Sequence, residues 1–278
     1  MSFAVCILSF NHPEITTRCV KSSLRFYKPE QIYLVHNGSQ PEHVENLKNA
    51  FTGIHHLVIE QNRGYSGGAN FALDKIFQTH DWCFFVTNDC EIIRVGQFPI
   101  QPGLIAPHIH LKKFGRTDSI GGQFFANKAH LRHVKSSEEF LSVPQGQAYI
   151  PRTAFLMHKK VFECTLGFDE SFHSYWEDVD LSLRTQESGL PISFNRDFEL
   201  VHSVGNTFNK HPLYASFLFH RNRARLCRKR VSWRDTFGVH RAQLEVNLLV
   251  DCVSHTAQLA IQKRWQSAQN VIRAYYGD

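Results

Sequence analysis

From Ala4 to Thr87 the chain alternates short apolar runs with longer amphipathic stretches. The runs Ala4–Ser9, Gln31–His36, His56–Glu60 and Trp82–Thr87 are rich in β-branched or aromatic residues and end at polar positions, which predicts four strands. Between them, 13–27, 41–51 and 66–80 read as helices, with Pro13 and Pro41 where a helix can begin. Strand–helix–strand repeats of this length predict a parallel sheet with right-handed crossovers. Such sheets bind ligands beyond the carboxyl ends of their strands. The polar residues just after the strands are therefore the first candidates: Ser9, Asn11, His36, Asn37, Asn62, Asn88 and Asp89.

Residues 97–150 show no clear periodicity, and Pro99, Pro102, Pro107, Gly121 and Gly122 predict loops and short strands there. Further on, Gly167-Phe168-Asp169-Glu170 leads into a helix over 177–188, which Gly189 and Pro191 stop. Ile192–Phe194 and Phe198–His202 read as two short strands, and from about 212 the pattern is helical to the end. The expectation is an α/β, Rossmann-like domain over 1–210, its mostly parallel sheet flanked by helices, with a helical, basic extension over 211–278.

Composition narrows the class. Hydrophobic residues make up 42% of the 278 and charged residues 20%, which argues for one substantial core and against disorder. No run approaches the ~20 apolar residues of a membrane helix. The apolar start, Met1 to Phe10, lacks a basic lead and reads as a first strand rather than a signal peptide. The seven cysteines, at 6, 19, 83, 90, 164, 227 and 252, have no C-x-x-C spacing, which argues against a zinc or disulfide framework and suggests a reducing cytoplasm. The net charge of +6 includes a dense basic run over 221–234, with Arg221, Arg223, Arg225, Arg228, Lys229, Arg230 and Arg234. That run suits either a solvated helix face or contact with phosphates, an anionic lipid surface or nucleic acid.

Three segments carry candidate chemistry. Asn62-Arg63-Gly64-Tyr65-Ser66-Gly67-Gly68-Ala69-Asn70 joins a strand to a helix, where glycines allow close backbone approach and a helix N-terminus favours anions. Asp89, in Thr87-Asn88-Asp89-Cys90-Glu91, follows an apolar strand; it is either a turn residue or an acid that holds Mg²⁺ or Mn²⁺ against a pyrophosphate. In Trp176-Glu177-Asp178-Val179-Asp180-Leu181-Ser182-Leu183-Arg184, acids open a helix, and Asp180 and Arg184 have ion-pair spacing. Beside Tyr175 and Trp176, the same acids suit a sugar-binding wall with a carboxylate able to take a proton from a hydroxyl.

Together these segments resemble the inverting GT-A glycosyltransferases of family 2, especially the branch of rhamnosyltransferases and galactofuranosyltransferases. Val5 to Asn11 is similar to that family's first strand, and Val35-His36-Asn37-Gly38-Ser39 to its VDNGS element. Asn62 to Asn70 resembles its N-x-G-x-x-G-G-x-N loop, Asn88 to Glu91 its metal motif, and Gly167 to Arg184 its GFDE-x-F-x-x-Y-x-E-D-V-D-L-x-x-R segment. His202 falls where the family has a late histidine, and Arg221-Asn222-Arg223 resembles a basic segment after it.

The resemblance implies nucleotide-sugar binding through Ser9, Asn11, Asn37, Asn62, Gly64, Gly68, Asn70 and Asn88. It also implies a divalent cation, Mg²⁺ or Mn²⁺, at Asp89 and His202, a catalytic base at Asp178 and acceptor-orienting hydrogen bonds from Glu177. The donor would be dTDP-rhamnose or a UDP-sugar, and the acceptor a glycan or lipid-linked glycan, with no nucleic acid as partner. The protein would be cytoplasmic, or peripheral at the inner face of the membrane through 221–234. The sequence departs from the family pattern at His36, usually Asp, at Thr87, usually an acid or Asn, and at Asn195-Arg196-Asp197, where a Pro is usual. A nucleotidyltransferase would more naturally carry a basic, glycine-rich loop after the first strand, which Ser9 to Glu14 lacks. A non-catalytic carbohydrate- or nucleic-acid-binding module would not need Asp89, Asp178 and His202 together.

Overall fold

The computed structural model describes residues 2–112, 117–126, 130–203 and 212–230, together with 246 and 250. Its strands are β1 (Phe3–Ser9), β2 (Ile32–Asn37), β3 (His55–Ile59), β4 (Trp82–Thr87), β5 (Cys90–Arg94), β6 (Leu104–Leu111), β7 (Thr117–Ser119), β8 (Gly122–Phe125), β9 (His130–His133), β10 (Ala148–Tyr149), β11 (Ala154–His158) and β12 (Ile192–His202). Its α-helices are α1 (Pro13–Ser23), α2 (Pro41–Ala50), α3 (Gly64–Ile76), α4 (Ser137–Ser142), α5 (Lys159–Thr165), α6 (Glu177–Glu187) and α7 (Pro212–Arg230).

The chain forms two units whose segments interleave. The first holds residues 1–122, 133–173 and 177–204, and the second 123–132, 174–176 and 205–278. In the first, a nine-stranded sheet runs β3-β2-β1-β4-β11-β6-β12-β5, with β7 paired to β6. Strands β3, β2, β1 and β4 are parallel, as are β6 and β12. Antiparallel β11 joins the two groups, and β5 closes the far edge antiparallel to β12.

The apolar runs of β1 and β4 are buried on both faces, as parallel strands covered by helices should be. Ala4, Cys6, Leu8, Cys83 and Phe85 enter one apolar cluster with Ala69, Ala72, Leu73 and Ile76 of α3. The alternate residues Val5, Ile7, Trp82, Phe84 and Val86 enter another with Cys19 and Val20 of α1 and Leu47 of α2. The period-two alternation of side chains thus supplies both faces from one run.

Two elements differ from the sequence expectation. The helix expected from 66 begins two residues earlier, so that Gly64 to Gly68 form the first turn of α3 and are buried. Residues 192–202 form one strand rather than two, because a register shift between Asn195 and Glu199 absorbs the polar interruption as a bulge. Of the basic run, residues 221–230 lie on α7, and Arg234 lies outside the described residues, as do Cys252 and most of the expected helical extension. Within the second unit, Asn222 of α7 donates Nδ2 to the carbonyl oxygens of Ser174 (2.7 Å) and Tyr175 (3.0 Å). No helix among the described residues is long and apolar enough to cross a membrane.

The turn after β2 needs glycine. Gly38 has φ 75°, donates its N–H to Ile59 O at 2.9 Å, and a Cβ there would lie 2.3 Å from Asn62 N. Gly38→Ala is therefore expected to lower stability by at least ~1–2 kcal/mol, the cost of a left-handed alanine, before the clash is counted. Urea denaturation of both proteins checks this.

Candidate active site

Parallel pairing brings the strand ends to one edge of the sheet. Ser9 pairs with His36 and Leu8 with Thr87, so β1, β2 and β4 end side by side. The polar residues beyond them bind one another. Ser9 Oγ lies 2.9 Å from Thr16 Oγ1, which also accepts from Asn88 Nδ2 at 2.9 Å. Asn11, left-handed at φ 55°, accepts from Gln40 N at 3.0 Å and donates its own N–H to Ser39 Oγ at 2.9 Å. Asn37 donates to Gly64 O at 2.8 Å and accepts from Arg63 N at 3.1 Å, while Asn62 Oδ1 accepts from Gly64 N at 2.8 Å.

Asp89, on the turn after β4, faces the end of β12. Its Oδ1 accepts from Thr87 Oγ1 at 2.7 Å, and its Oδ2 lies 3.3 Å from His202 Nε2. The other ring nitrogen, His202 Nδ1, lies 3.3 Å from Asp118 Oδ2. Burial disfavours the imidazolium, but the two carboxylates raise the His202 pKa to about 9. Burial likewise opposes charge on Asp89, yet His202 and the Thr87 hydroxyl hold it below the usual carboxylate range. The 3.3 Å spacing of Asp89 Oδ2 and His202 Nε2 is roughly that of two ligands sharing one cation at bonds of ~2.1 Å. A carboxylate behind the far nitrogen, as Asp118 is, commonly orients a metal-binding histidine. The donor set therefore fits a divalent cation.

The acids that open α6 meet the turn before β11. Asp178 Oδ2 accepts from Arg152 N at 3.0 Å and Oδ1 from Val179 N at 2.9 Å, and the residue keeps part of its surface exposed. Glu177 is fully buried; its Oε1 pairs with Arg152 Nη1 at 3.0 Å, and its Oε2 has no partner among the described residues. Burial raises the pKa of both carboxyls against the pull of Arg152. Asp180 makes the expected i,i+4 pair with Arg184, 2.7 Å, in a buried setting. The two groups are joined through the same turn, since Thr87 donates its backbone N–H to Thr153 O at 3.0 Å while its hydroxyl serves Asp89.

Several candidates serve the framework. Asn70 donates to Phe168 O and accepts from Phe168 N, both at 2.8 Å, so its amide clamps the 167–170 turn rather than opening toward a ligand. Gly68 makes room for Asn37, whose Nδ2 would lie 2.7 Å from an added Cβ. Gly64, at φ 70°, abuts the His173 ring, 2.3 Å from where a Cβ would sit. Glu177, expected to meet the acceptor, is withdrawn from solvent against Arg152. Sequence reasoning missed Asp118, Arg152 and Thr153. Asp118 lies in the stretch without periodicity, and the other two stand in no motif; only the three-dimensional pairing of β4 with β11 reveals them.

A curled, mostly parallel sheet with helices on both faces and polar residues at its strand ends is the architecture of GT-A glycosyltransferases. Residues 4–176 match the model of Glycosyl transferase family 2, and the chain belongs to that family. No curated protein matches the chain significantly in sequence. Among solved structures, GalNAc-T7 with UDP, GalNAc and Mn²⁺ is similar at TM-score 0.58 and 14% identity, covering 81% of this chain and 51% of that one. The mannosyltransferase PcManGT from Pyrobaculum calidifontis, in complex with GDP-Man and Mn²⁺, gives TM-score 0.55 and 11% identity over 98% of this chain and 85% of its own. S. aureus TarS gives TM-score 0.52 and 15% identity over 81% and 39%. The chain therefore spans about half the length of GalNAc-T7 and less of TarS.

The buried Glu177 sets a pH dependence. Its folded-state pKa lies above the ordinary 4.5, so the stability it contributes is fully present below 4.5 and is lost as pH rises toward neutrality and the unfolded chain ionises first. The stability of the wild type relative to Glu177→Gln should therefore fall as pH rises from 4.5 toward 7.5. Urea denaturation of both proteins across that range measures it, and a constant difference would contradict the assignment.

Proposed function

We propose that this enzyme moves a hexosyl group from a nucleoside diphosphate sugar to a hydroxyl of a cell-surface glycan or its lipid-linked precursor, with inversion at the anomeric carbon. One observation carries the reading: the Asp89–His202 pair, backed by Asp118, is tied through Thr87 and Thr153 to the turn that holds Asp178. Inverting transfer is a direct displacement, which needs charge control at the leaving group and a base at the incoming hydroxyl. Both kinds of group stand on this one framework.

Asp178 is the base. Both of its oxygens are fixed by backbone N–H groups, it is partly open, and burial raises its pKa, which makes it a stronger proton acceptor. Glu177 acts beneath it by holding Arg152. Ser9, Asn11, Asn37, Asn62 and Asn88 set the loops at the strand ends against the nucleotide, and Gly64, Gly68 and Asn70 pack the helix and turn beside them. Asp89 and His202 would hold Mg²⁺ or Mn²⁺, which when bound supplies neutralisation of the departing diphosphate. The UDP and GDP-Man complexes of the structural neighbours support a nucleotide-sugar donor. The motifs resembling the rhamnosyltransferase branch favour dTDP-rhamnose first and UDP-sugars next. The basic face of α7 would meet an anionic acceptor or the inner membrane surface.

Release of nucleoside diphosphate from a donor panel, with Mn²⁺ or Mg²⁺, tests the activity. Asp178→Asn is expected to keep donor binding while kcat falls at least ~100-fold, the low end for loss of a general base. Asp89→Ala is expected to abolish turnover and cation-dependent nucleotide binding; full activity in that variant, or in excess chelator, would falsify the role. Replacing Arg225, Arg228 and Arg230 with Ser should lower transfer to a lipid-linked acceptor more than donor hydrolysis. Equal losses on both would remove the surface role.

A further inference from the structure

A second group of metal-ligating side chains lies on the paired strands β6 and β12, away from Asp89. His108 and His110 are two residues apart on β6 and so project to the same side of the sheet. Their ring centroids are 4.1 Å apart. Glu199 of β12 pairs with His108, and its Oε2 lies 3.4 Å from His110 Nε2. One ligand atom from each residue falls within 4.8 Å of the other two. The arrangement is built by an irregularity: the register of β12 shifts against β6 just before Glu199 and against β5 just after it. Bulges of this kind re-aim a side chain, here the carboxylate onto the imidazoles. The neighbouring Thr117 Oγ1, 2.9 Å from His108 Nε2, fixes that ring.

We propose that His108, His110 and Glu199 form a zinc site, separate from the crevice of Asp89 and His202. Two imidazoles and one carboxylate are a zinc donor set with a fourth position open, whereas Mg²⁺ and Mn²⁺ prefer oxygen-rich sites. One cation already competes for this carboxylate: Arg94 Nη2 lies 2.6 Å from Glu199 Oε1. The Arg94 side chain is 51% exposed, so it can yield to solvent when zinc enters. Zinc here would pin β12 to β6 across the bulge, three residues before His202, and hold the strand that delivers that histidine.

The test is calorimetric zinc titration of the chelator-stripped full chain, with metal content measured after dialysis. Asp89→Asn, which removes a ligand of the crevice pair, should retain a zinc-binding event whose affinity matches one seen in the wild type. His110→Gln and Glu199→Gln should weaken the Kd at least ~tenfold, since losing a ligand costs no less than losing a group behind one. Arg94→Gln should tighten it, because the competing cation is gone. Unchanged affinity in both His110→Gln and Glu199→Gln overturns the proposal, as does loss of zinc in Asp89→Asn alone. Should His110→Gln fail to fold, the opposite signs expected for Glu199→Gln and Arg94→Gln decide, and shifts of the same sign overturn the site.

Discussion

The carbonyl oxygen of Thr153 is the point on which the site's geometry turns. It accepts from the backbone N–H of Thr87, where the antiparallel pairing of β4 with β11 ends, and the Thr87 hydroxyl oxygen lies 3.2 Å away. Such a bond adds only ~1 kcal/mol to stability. Its importance is positional. Thr87 also donates to Asp89, and Arg152, one residue before Thr153, supplies the N–H that holds Asp178. The acid after a parallel strand and the acid opening a helix nearly ninety residues later are therefore parts of one hydrogen-bonded frame.

The residues just before α6 show that the protein tolerates unfavourable local chemistry. Tyr175 and Trp176, the residues just before α6, are both left-handed, with φ near 71° and 70°. A non-glycine residue held in such a sparsely populated region costs of order 1–3 kcal/mol. Within the second unit, Asn222 spans the carbonyls of Ser174 and Tyr175 and holds this backbone in place. Glu177 follows immediately, buried with one oxygen unpartnered among the described residues. Strain and burial of this kind collect where a structure must over-determine side-chain positions.

Much of this was legible in the sequence for simple physical reasons. The strands β1, β2 and β4 are continuous apolar runs because both faces are covered, and such runs stand out in a sequence. The pairing of Asp180 with Arg184 follows from helical spacing alone. By contrast β6, in the second half of the sheet, contains Pro107 and two histidines whose partners lie on a distant strand, so no periodicity marks it. Asp118 and Arg152 gain their meaning only from pairings that bring together segments far apart in the chain. The glycines of α3 were recognisable, but not that Gly64 would already open the helix, since a glycine-rich run suits a loop as well as close packing.

His36 gives the crevice a direction. It stands at the end of β2, fully buried against His56, and burial lowers its pKa to about 4, so it is uncharged at neutral pH. Beyond β4, by contrast, Asp89 is a carboxylate that His202 and Thr87 hold below the usual range, with Asp118 on the other side of His202. The end of β2 and the turn after β4 therefore differ in electrostatic character, with a neutral imidazole at one and a carboxylate at the other. A ligand with an uncharged ring at one end and a cation-binding diphosphate at the other meets complementary surroundings in only one of its two head-to-tail orientations.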